Sequence, residues 1–424
     1  MSLLSRLGPK SQSQGQSQKT FKSSTSPLGR AFLNSDATAA ASAVALGPTY
    51  GILGSVGGDV DLAAAESESE VDVSLADLAA ADDAIDEARA QFNAGNYPDA
   101  FATYNYAAQL IHNNAASTAR WFLAALFQLN LNLYSLAVKG DETLANSHQK
   151  TRCLEEAART MNKAFSVCAT DRFNNINQSR KWGVYYICNL LFRTYFKLNQ
   201  INLASNLIRS FRGVDLPDLS LYPIAHVVTY RYYMGVLAFY DEQYRKAQDD
   251  LSFALINFAP LTTPARIHNR KLLLTHLIPI NLLSGISPSD VVYSNHPELS
   301  DLFGDLVNAI EAGKLGSFDE LLQRKQKGLI RAGVYLTIER CRIICFRNLA
   351  RRVFLIRGKP TRLELQDILT AVTVAGCEAD MDEIECMVAN LIDKGLLKGY
   401  ISHEKLMLVL SPNNAFPSLD SVPV

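Results

Sequence analysis

Long amphipathic helical segments separated by short turns dominate the chain from about residue 82 onward. The first helical hairpin is predicted in the segment AQFNAGNYPDAFATYNYAAQL, where Phe92 closes one helix and Gly95-Asn96 forms the turn. Ala100 and Ala107 follow on the next helix, and such small residues let two helix axes approach closely. Further turns of this kind are predicted at Asn199-Gln200, Asp241-Glu242 and Gly313-Lys314-Leu315. Repeated hairpins bury their apolar faces by stacking on neighbours, so the pattern predicts a mainly α chain with a TPR-like helical-hairpin solenoid.

The last 90 or so residues have a different pattern. Residues 336–354 are predicted to be helical, TRLELQDILTAV is a second short helix, and MDEIECMVANLIDKG is a third. Asp380 or Asp382 can cap the third helix, because a glutamate follows three residues later. The segments LLKGYIS and LMLVL then flank a polar turn at residues 403–405, which indicates a two-stranded hairpin. Three helices followed by a small β-wing form a winged helix.

The first 78 residues contain SQSQGQSQ, an Ala/Gly-rich stretch and the acidic run ESESEVD. Too few large apolar groups are present to offset the entropy of ordering, so we expect a disordered low-complexity tail. The first 35 residues are also basic, serine-rich and free of acids, a composition that organelle transit peptides share. The Gln-Ser repeats are more simply interpreted as part of the disordered tail.

Overall composition limits the compartment but not the partner. Lysine and arginine number 41 against 42 acidic residues, so whole-chain charge selects no ligand. The seven cysteines lack the paired spacing of a disulfide framework, which favours a reducing compartment, the cytosol or nucleus. The N-terminal apolar run is too short for a signal peptide, and no segment approaches the roughly 18 uninterrupted apolar residues of a membrane span. We therefore expect no membrane partner.

Motifs that carry catalytic or cofactor chemistry are absent from the sequence. The chain has no phosphate-binding glycine loop, no Gly-x-Gly-x-x-Gly, no His-Glu-x-x-His and no Cys-x-x-Cys. Cys341 and Cys345 are one helical turn apart, but core packing is the better interpretation, because a reduced cysteine behaves as a small apolar residue. We expect no cofactor, no metal and no catalytic residue.

Residues 331–362 carry nine basic side chains against one acid, Glu339, for a local net charge of +8. Charges this dense repel one another unless something negative lies near them, and phosphate is the usual partner. Candidate nucleic-acid contacts in this segment and near the wing are Arg340, Arg342, Arg347, Arg351, Arg352, Arg357, Lys359, Arg362, Lys394 and Lys398. Two alternatives remain open: acidic neighbours, in a partner or in the chain's own solenoid, and a merely solvated face.

The predicted wing strand LMLVL is short and apolar, with Leu406, Leu408 and Leu410 as its large residues. Exposed edge strands invite pairing with another chain. These leucines are therefore predicted to bind a neighbouring winged helix.

The C-terminal pattern MDEIECMVANLIDKGLLKGYIS, with a Gly395 stop and with Gly399 and Ile401 entering the wing, resembles the PCI family. That module is shared by the proteasome lid, the COP-nine signalosome and translation initiation factor three. Longer blocks such as TYRYYMGVLAFYDEQYRKAQDDLSFAL and AGVYLTIERCRIICFRNLARRVFL are similar to the branch that contains yeast Thp-one and signalosome subunit twelve. The resemblance covers about residues 85–420.

The resemblance implies a non-catalytic scaffold subunit of a transcription-coupled mRNA export complex of the TREX-two type, in the nucleus and at the nuclear pore periphery, with some cytoplasmic presence. Such subunits form hetero-oligomers with a Sac-three or GANP-type PCI scaffold and a small acidic DSS/Sem-type protein. Their paired winged helices offer a basic surface to RNA or DNA, without sequence preference. The alternative is a protein-protein scaffold associated with the signalosome, without direct nucleic-acid binding.

The sequence pattern and the family resemblance together predict five segments of the chain. Residues 1–78 are expected to be the tail, 79–212 the N-terminal helical repeats, and 213–330 the helical-hairpin part of the PCI domain. Residues 331–412 are expected to form its winged-helix part, and 413–424 a C-terminal tail.

Overall fold

A computed structural model describes residues 26–33, 37–43, 74–173, 175–211, 213–258 and 263–422. These residues form two compact units: unit 1 ends at Tyr233 and unit 2 begins at Met234, so the boundary falls within one helix. The predicted boundary at 212/213 precedes that helix, which begins at Ile224.

The described residues of unit 1 form α-helices, loops and short 3-10 turns. Its elements in chain order are α1 (Pro27–Leu33), α2 (Ala37–Ala43), α3 (Leu75–Asn93), α4 (Tyr97–Ala115), α5 (Leu123–Asn146), α6 (Cys153–Ala169), α7 (Val184–Lys197), α8 (Ile201–Phe211) and most of α9 (Ile224–Tyr240). Successive helices from α3 to α8 pack on one another. The turns predicted at Gly95-Asn96 and Asn199-Gln200 are confirmed, and both Gly95 and Asn199 have positive φ, as tight turns require.

Helices α1 and α2 lie in the segment that was predicted to be disordered, so that prediction is wrong for these residues. Leu28 and Ala40 are fully buried, α1 packs on α3 and α2 packs on α5. The amide of Leu28 donates to Asp82 Oδ2 at 2.8 Å. The runs PLGRAFL and ATAAASA are short, and their apolar character is lost when composition is averaged over the whole tail. The rest of the predicted tail before Ser74 lies outside the described residues.

Helix α5 is a long apolar helix of unit 1. By length and composition alone, the segment Arg120–Asn146 can match a membrane span, contrary to our expectation from the sequence, but 67% of its most apolar window is buried inside the fold. Leu126, Leu129 and Leu133 have at most 1% of their surface exposed. The segment therefore packs as a core helix against α4 and α6.

Unit 2 begins with the end of α9 and continues through a second set of hairpins. Its helices are α10 (Tyr244–Ile256), α11 (Pro264–Leu283), α12 (Asp290–Asn295), α13 (Pro297–Leu299), α14 (Asp305–Ala312), α15 (Leu315–Arg331), α16 (Tyr335–Arg340), α17 (Arg342–Ile356), α18 (Leu365–Val374) and α19 (Met381–Asp393). The turns predicted at Asp241-Glu242 and Gly313-Lys314-Leu315 are confirmed. A Cβ at Gly313 would lie 2.7 Å from the Leu349 amide nitrogen, so glycine lets the α14–α15 turn approach α17 closely.

The winged helix consists of α17, α18, α19 and a three-stranded antiparallel sheet. Its strands are β1 (Arg362–Glu364), β2 (Gly399–Ser402) and β3 (Met407–Leu410), in the order β1-β3-β2. Asp380 and Glu383 form the capping box of α19: the Glu383 amide donates to Asp380 Oδ1 at 2.8 Å, and the Asp380 amide donates to Glu383 Oε2 at 3.1 Å. The predicted fold class is confirmed, and the structure adds β1 to the predicted hairpin.

The segment after β3, predicted to be a C-terminal tail, instead belongs to the fold as far as the structure describes it. Ala415 and Val422 are 5% and 7% exposed, and Pro417 is buried. The amide of Lys398 donates to the Ala415 carbonyl at 2.8 Å. Residues 413–422 thus cover the winged helix, because their apolar side chains find partners that short-range sequence patterns do not reveal.

Candidate nucleic-acid interface

Arg347 lies in the middle of α17, and its side chain points into unit 2. The residue is 5% exposed. Its Nε donates to the Leu396 carbonyl at 3.3 Å, and its Nη2 donates to the Pro417 carbonyl. Burial lowers the pKa of Arg347, with a smaller contribution from the nearby Arg351 guanidinium. The predicted nucleic-acid contact at Arg347 is therefore wrong, because this side chain holds the C-terminal segment on the winged helix.

Arg342, at the start of α17, forms a bidentate ion pair with Asp319. Its Nε lies 2.8 Å from Asp319 Oδ1 and its Nη2 lies 2.9 Å from Asp319 Oδ2. The Asp319 carboxylate on α15 raises the pKa of Arg342 through this hydrogen bond. Arg342 thus joins α17 to the preceding hairpin and has its charge balanced within the chain.

Two further arginines of the basic segment are paired with carboxylates of unit 2. Arg340 Nη2 donates to Glu242, and Arg357 Nη2 donates to Asp367 at the start of α18. Together with Arg342, these residues follow the alternative in which acidic groups of the same chain balance the basic segment. Arg340 and Arg357 remain exposed beside these carboxylates. The nucleic-acid contacts at the three positions stay predictions.

Arg351 and Arg352 lie on the exposed side of α17. Arg352 Nη2 is 3.4 Å from the Glu311 carbonyl, which is at the long limit of a hydrogen bond. Among the described residues, neither guanidinium has a carboxylate within 4.0 Å. Their donors therefore face solvent, where a phosphate can take two of them at once.

A second group of exposed cations lies at one end of the three-stranded sheet. Because the strands are antiparallel, the start of β1, the end of β3 and the start of β2 meet there. The Leu410 amide donates to the Thr361 carbonyl at 2.8 Å, and the Ser411 amide donates to the Lys398 carbonyl at 2.9 Å. Lys359, Arg362 and Lys398 are all exposed, and none has a carboxylate partner among the residues that the structure covers. The nucleic-acid contacts at these three residues stay predictions.

Lys394 lies apart from that sheet end, directly after α19. It is exposed and lines a cavity of about 810 Å³ in unit 2. The other lining residues include Tyr244, Arg340, Arg342, Asn390 and Leu419. Its charge thus faces a groove between the hairpin and winged-helix parts of the unit.

Of the three leucines predicted to bind a partner, only Leu406 is exposed, at 41%. Leu408 and Leu410 are 0% and 3% exposed. β3 is the central strand, paired with β1 on one side and β2 on the other, so it presents no free edge. The prediction is wrong for Leu408 and Leu410, because the unrecognised strand β1 occupies the side that would have been free.

The structure gives no indication of a metal centre in the described ranges. These residues contain no group of three or more histidine, cysteine, aspartate or glutamate side chains placed to hold an ion. Cys341 and Cys345 are both buried, and burial raises the pKa of the Cys345 thiol to about 12. Both thiols stay protonated at neutral pH and pack as small apolar groups, as the core-packing interpretation predicted.

A series of helical hairpins that ends in a three-stranded winged helix defines a PCI-type subunit, and the PCI domain family model matches residues 319–412. A Neurospora crassa protein named "Protein CSN12 homolog" is 36% identical over 332 residues, which covers 70% of this chain and 72% of the relative. The Danio rerio protein named "PCI domain-containing protein 2" is 34% identical over 309 residues, covering 71% and 74%. The chain belongs to the PCI-domain family, in the group that contains these two kinds of relative.

Sequence reasoning missed one exposed residue of this surface, Tyr400 in β2. Its side chain is 63% exposed, whereas Ile401, the next residue, faces the sheet interior and pairs with Leu408. Side chains of a strand alternate between its faces, so placing Ile401 in the core would have placed Tyr400 outside. The alternation of apolar and exposed positions in GYIS is the sequence signal for this residue.

Proposed function

We propose that this chain is a non-catalytic scaffold subunit of a transcription-coupled mRNA export complex of the TREX-two type, and that it contacts RNA or DNA through its winged helix. PCI proteins form hetero-oligomeric complexes. Expected partners are a Sac-three or GANP-type PCI scaffold and a small acidic DSS/Sem-type protein. The expected location is the nucleus and the nuclear pore periphery, with some cytoplasmic presence.

The observation that carries this proposal is a set of exposed cations without carboxylate partners in the described parts of unit 2. Its members are Arg351, Arg352, Lys359, Arg362, Lys394 and Lys398. In the same segment, Arg340, Arg342 and Arg357 are paired with carboxylates, and Arg347 is buried against carbonyls. Like charges without local partners repel their neighbours, and an anionic polymer is the ligand that relieves this repulsion most. Contacts of this kind hold the phosphate backbone and do not select base sequence.

Charge reversal of Arg351→Glu together with Arg352→Glu tests the nucleic-acid contact. We expect RNA affinity to fall at least about 10-fold, which corresponds to about 1.4 kcal/mol. The slope of log affinity against log salt should become shallower by roughly 1.4, since each phosphate contact on single strands contributes about 0.7. Filter binding or mobility shift across a salt series measures both quantities on the folded full chain.

The matched control is Arg245→Glu together with Lys246→Glu on α10, two exposed cations in the same unit outside the winged helix. The control changes net charge by the same amount, so it separates a local contact from a general charge effect. Equal loss in both double variants, or no loss in either, would remove the assignment of α17 as the contact.

A second candidate is a protein-protein scaffold associated with the COP-nine signalosome, without nucleic-acid binding. The printed name of the Neurospora crassa relative, "Protein CSN12 homolog", favours it. Affinity purification of the tagged chain from its own cells separates the two candidates, because export-complex and signalosome subunits are different sets. Retention of signalosome subunits and no RNA at moderate salt would support the second candidate.

A further inference from the structure

Tyr400 is the large aromatic residue on the outer face of the wing. It lies in β2, with 63% of its surface exposed, while the alternate residue Ile401 faces inward. β2 is an edge strand, so only β3 lies beside it in the sheet. Because strand pairing fixes which face of the sheet this residue occupies, the phenol ring presents a flat surface to solvent.

The sheet register places cations beside this ring. Arg362 in β1 and Tyr400 in β2 both pair with Val409 in β3, so the three residues form one row across the sheet. Neighbouring strands are about 4.8 Å apart, which sets the Arg362 and Tyr400 backbones roughly 10 Å from each other on the same face. Lys398 lies two residues before Tyr400, at the end of the sheet that also carries Lys359. Two cations, Arg362 and Lys398, thus lie near the ring, and neither has a carboxylate partner among the described residues.

An exposed aromatic ring next to the cations Arg362 and Lys398 fits an unpaired nucleobase with its flanking phosphates. Every nucleobase has a flat π-surface, and stacking on an aromatic side chain is tolerant of base identity. Cations next to the ring can hold the phosphates on either side of the stacked base. In a duplex, the base faces are covered by neighbouring base pairs, so a ring on an open sheet face can stack only on an unpaired base.

We propose that Tyr400 is a stacking platform for an unpaired base of a single-stranded nucleic acid, with Arg362 and Lys398 holding the adjacent phosphates. The inference rests on the proposed function and makes it narrower, since it names single strands as the preferred ligand. Arg351 and Arg352 on α17 contribute sequence-independent charge, whereas Tyr400 distinguishes single strands from duplexes.

The test uses the folded full chain, an unstructured uridine-rich RNA of 12 nucleotides and an RNA duplex of equal length. Tyr400→Ala should weaken single-strand binding roughly 5- to 100-fold, because removing one stacking contact has an effect of that size. Duplex binding should change less than about 2-fold. Tyr400→Phe keeps the ring and should retain nearly all of the single-strand affinity. Tyr106→Ala, at an aromatic residue of α4 that is 54% exposed, is the matched control and should bind like the wild type.

A spectroscopic signal reports the stacking itself. RNA that carries 2-aminopurine loses fluorescence when that base stacks on an aromatic ring, so the wild type and Tyr400→Phe should quench it at saturation. Tyr400→Ala should leave most of the fluorescence intact at saturating concentration. A structural defect alone would not produce this pattern, because saturation compensates for weaker affinity.

The outcomes separate the two levels of the hypothesis. If the wild type binds neither RNA, the proposed nucleic-acid function fails and the stacking role fails with it. If the Arg351/Arg352 reversal weakens binding while Tyr400→Ala binds the single strand like the wild type, only the stacking role is overturned. Loss of a protein partner on Tyr400→Ala, with unchanged RNA affinity, would assign the ring to a protein contact and also overturn it.

Discussion

The inner side of α17 and the end of the wing sheet come from the same arginine-rich stretch, yet they use positive charge in opposite ways. Arg347 is buried and donates to two backbone carbonyls, whereas Arg351, one helical turn later, is exposed. At the sheet end, Lys359 and Arg362 are exposed as well. The local density of charge therefore does not identify the ligand-binding residues. The positions of acceptor groups in the fold determine which cations remain available.

Substitution of the buried Arg347 should have the largest effect on the free energy of unfolding. Arg347→Met keeps the aliphatic stem but leaves the Leu396 and Pro417 carbonyls without their donor. We expect the free energy of unfolding to fall by about 2–4 kcal/mol, since each buried unsatisfied polar group costs about 1–3 kcal/mol. Chemical denaturation followed by circular dichroism measures it.

Arg351→Met is the matched control for this substitution, because it makes the same change one turn away on the exposed side. Its unfolding free energy should stay within about 0.5 kcal/mol of the wild type. Similar stability for the two variants would contradict the distinction between the two sides of α17.

His112, a buried histidine in unit 1, extends the comparison of buried and exposed cationic side chains. Unlike arginine, histidine can lose its charge when it is buried. His112 is 0% exposed, and the Asn130 side-chain amide lies 3.2 Å from its Nε2, where the nitrogen accepts only in the neutral ring. Burial, and to a smaller extent Lys163, lowers the pKa of His112 to about 3. The unfolded state, with a pKa of about 6.5, then binds more protons than the folded state as the pH falls.

The stability that comes from neutral His112 is fully present above about pH 6.5 and is lost as the pH falls from there through about 3. At pH 5 the loss should be about 2 kcal/mol relative to pH 8. His112→Gln should remove this part of the pH dependence, whatever its effect at pH 8. Denaturant titrations at pH 5 and pH 8 measure the difference. Identical pH profiles for the variant and the wild type would show that another group is responsible.

The smallest effect should come from the partly exposed pair of Arg342 and Asp319. Each side chain is about a third exposed, at 38% and 33%, so solvent screens the attraction. Arg342→Gln should lower the free energy of unfolding by about 0.5–1 kcal/mol, less than Arg347→Met. A loss as large as that of Arg347→Met would show that exposure does not order these arginines by structural importance.

Local sequence signals were sufficient where the structure depends on neighbours in the chain. The four hairpin turns and the Asp380 capping box follow from turn and cap residues within a few positions of one another. The short strand β1 was missed because Leu363, its buried residue, also continues the apolar pattern of the following helix. That omission had a further consequence: without β1, the central strand β3 was assigned a free edge that it does not have.

The candidate site could be predicted only in part, because exposure is a property of the folded chain. Arg347 and Arg351 are both arginines and lie four positions apart, so the local sequence does not show that one is buried and the other exposed. They differ because the Pro417 carbonyl, 70 residues after Arg347, lies where Arg347 can reach it. Distances along the chain of that size leave no local signal. Strand alternation predicts that the ring of Tyr400 is exposed. Net charge concerns only charged side chains, so it carries no information about this aromatic residue.

The attachment of residues 415–422 to the winged helix has a consequence at the level of the gene. A stop codon just after Asn414 would leave the PCI family match at residues 319–412 intact. The shortened protein would nevertheless lose one of the two carbonyl acceptors of Arg347, that of Pro417, and the apolar cover of Ala415 and Val422. Cellular quality control removes chains that lose stability on this scale. A late nonsense allele of this kind should therefore behave as a loss of the whole subunit.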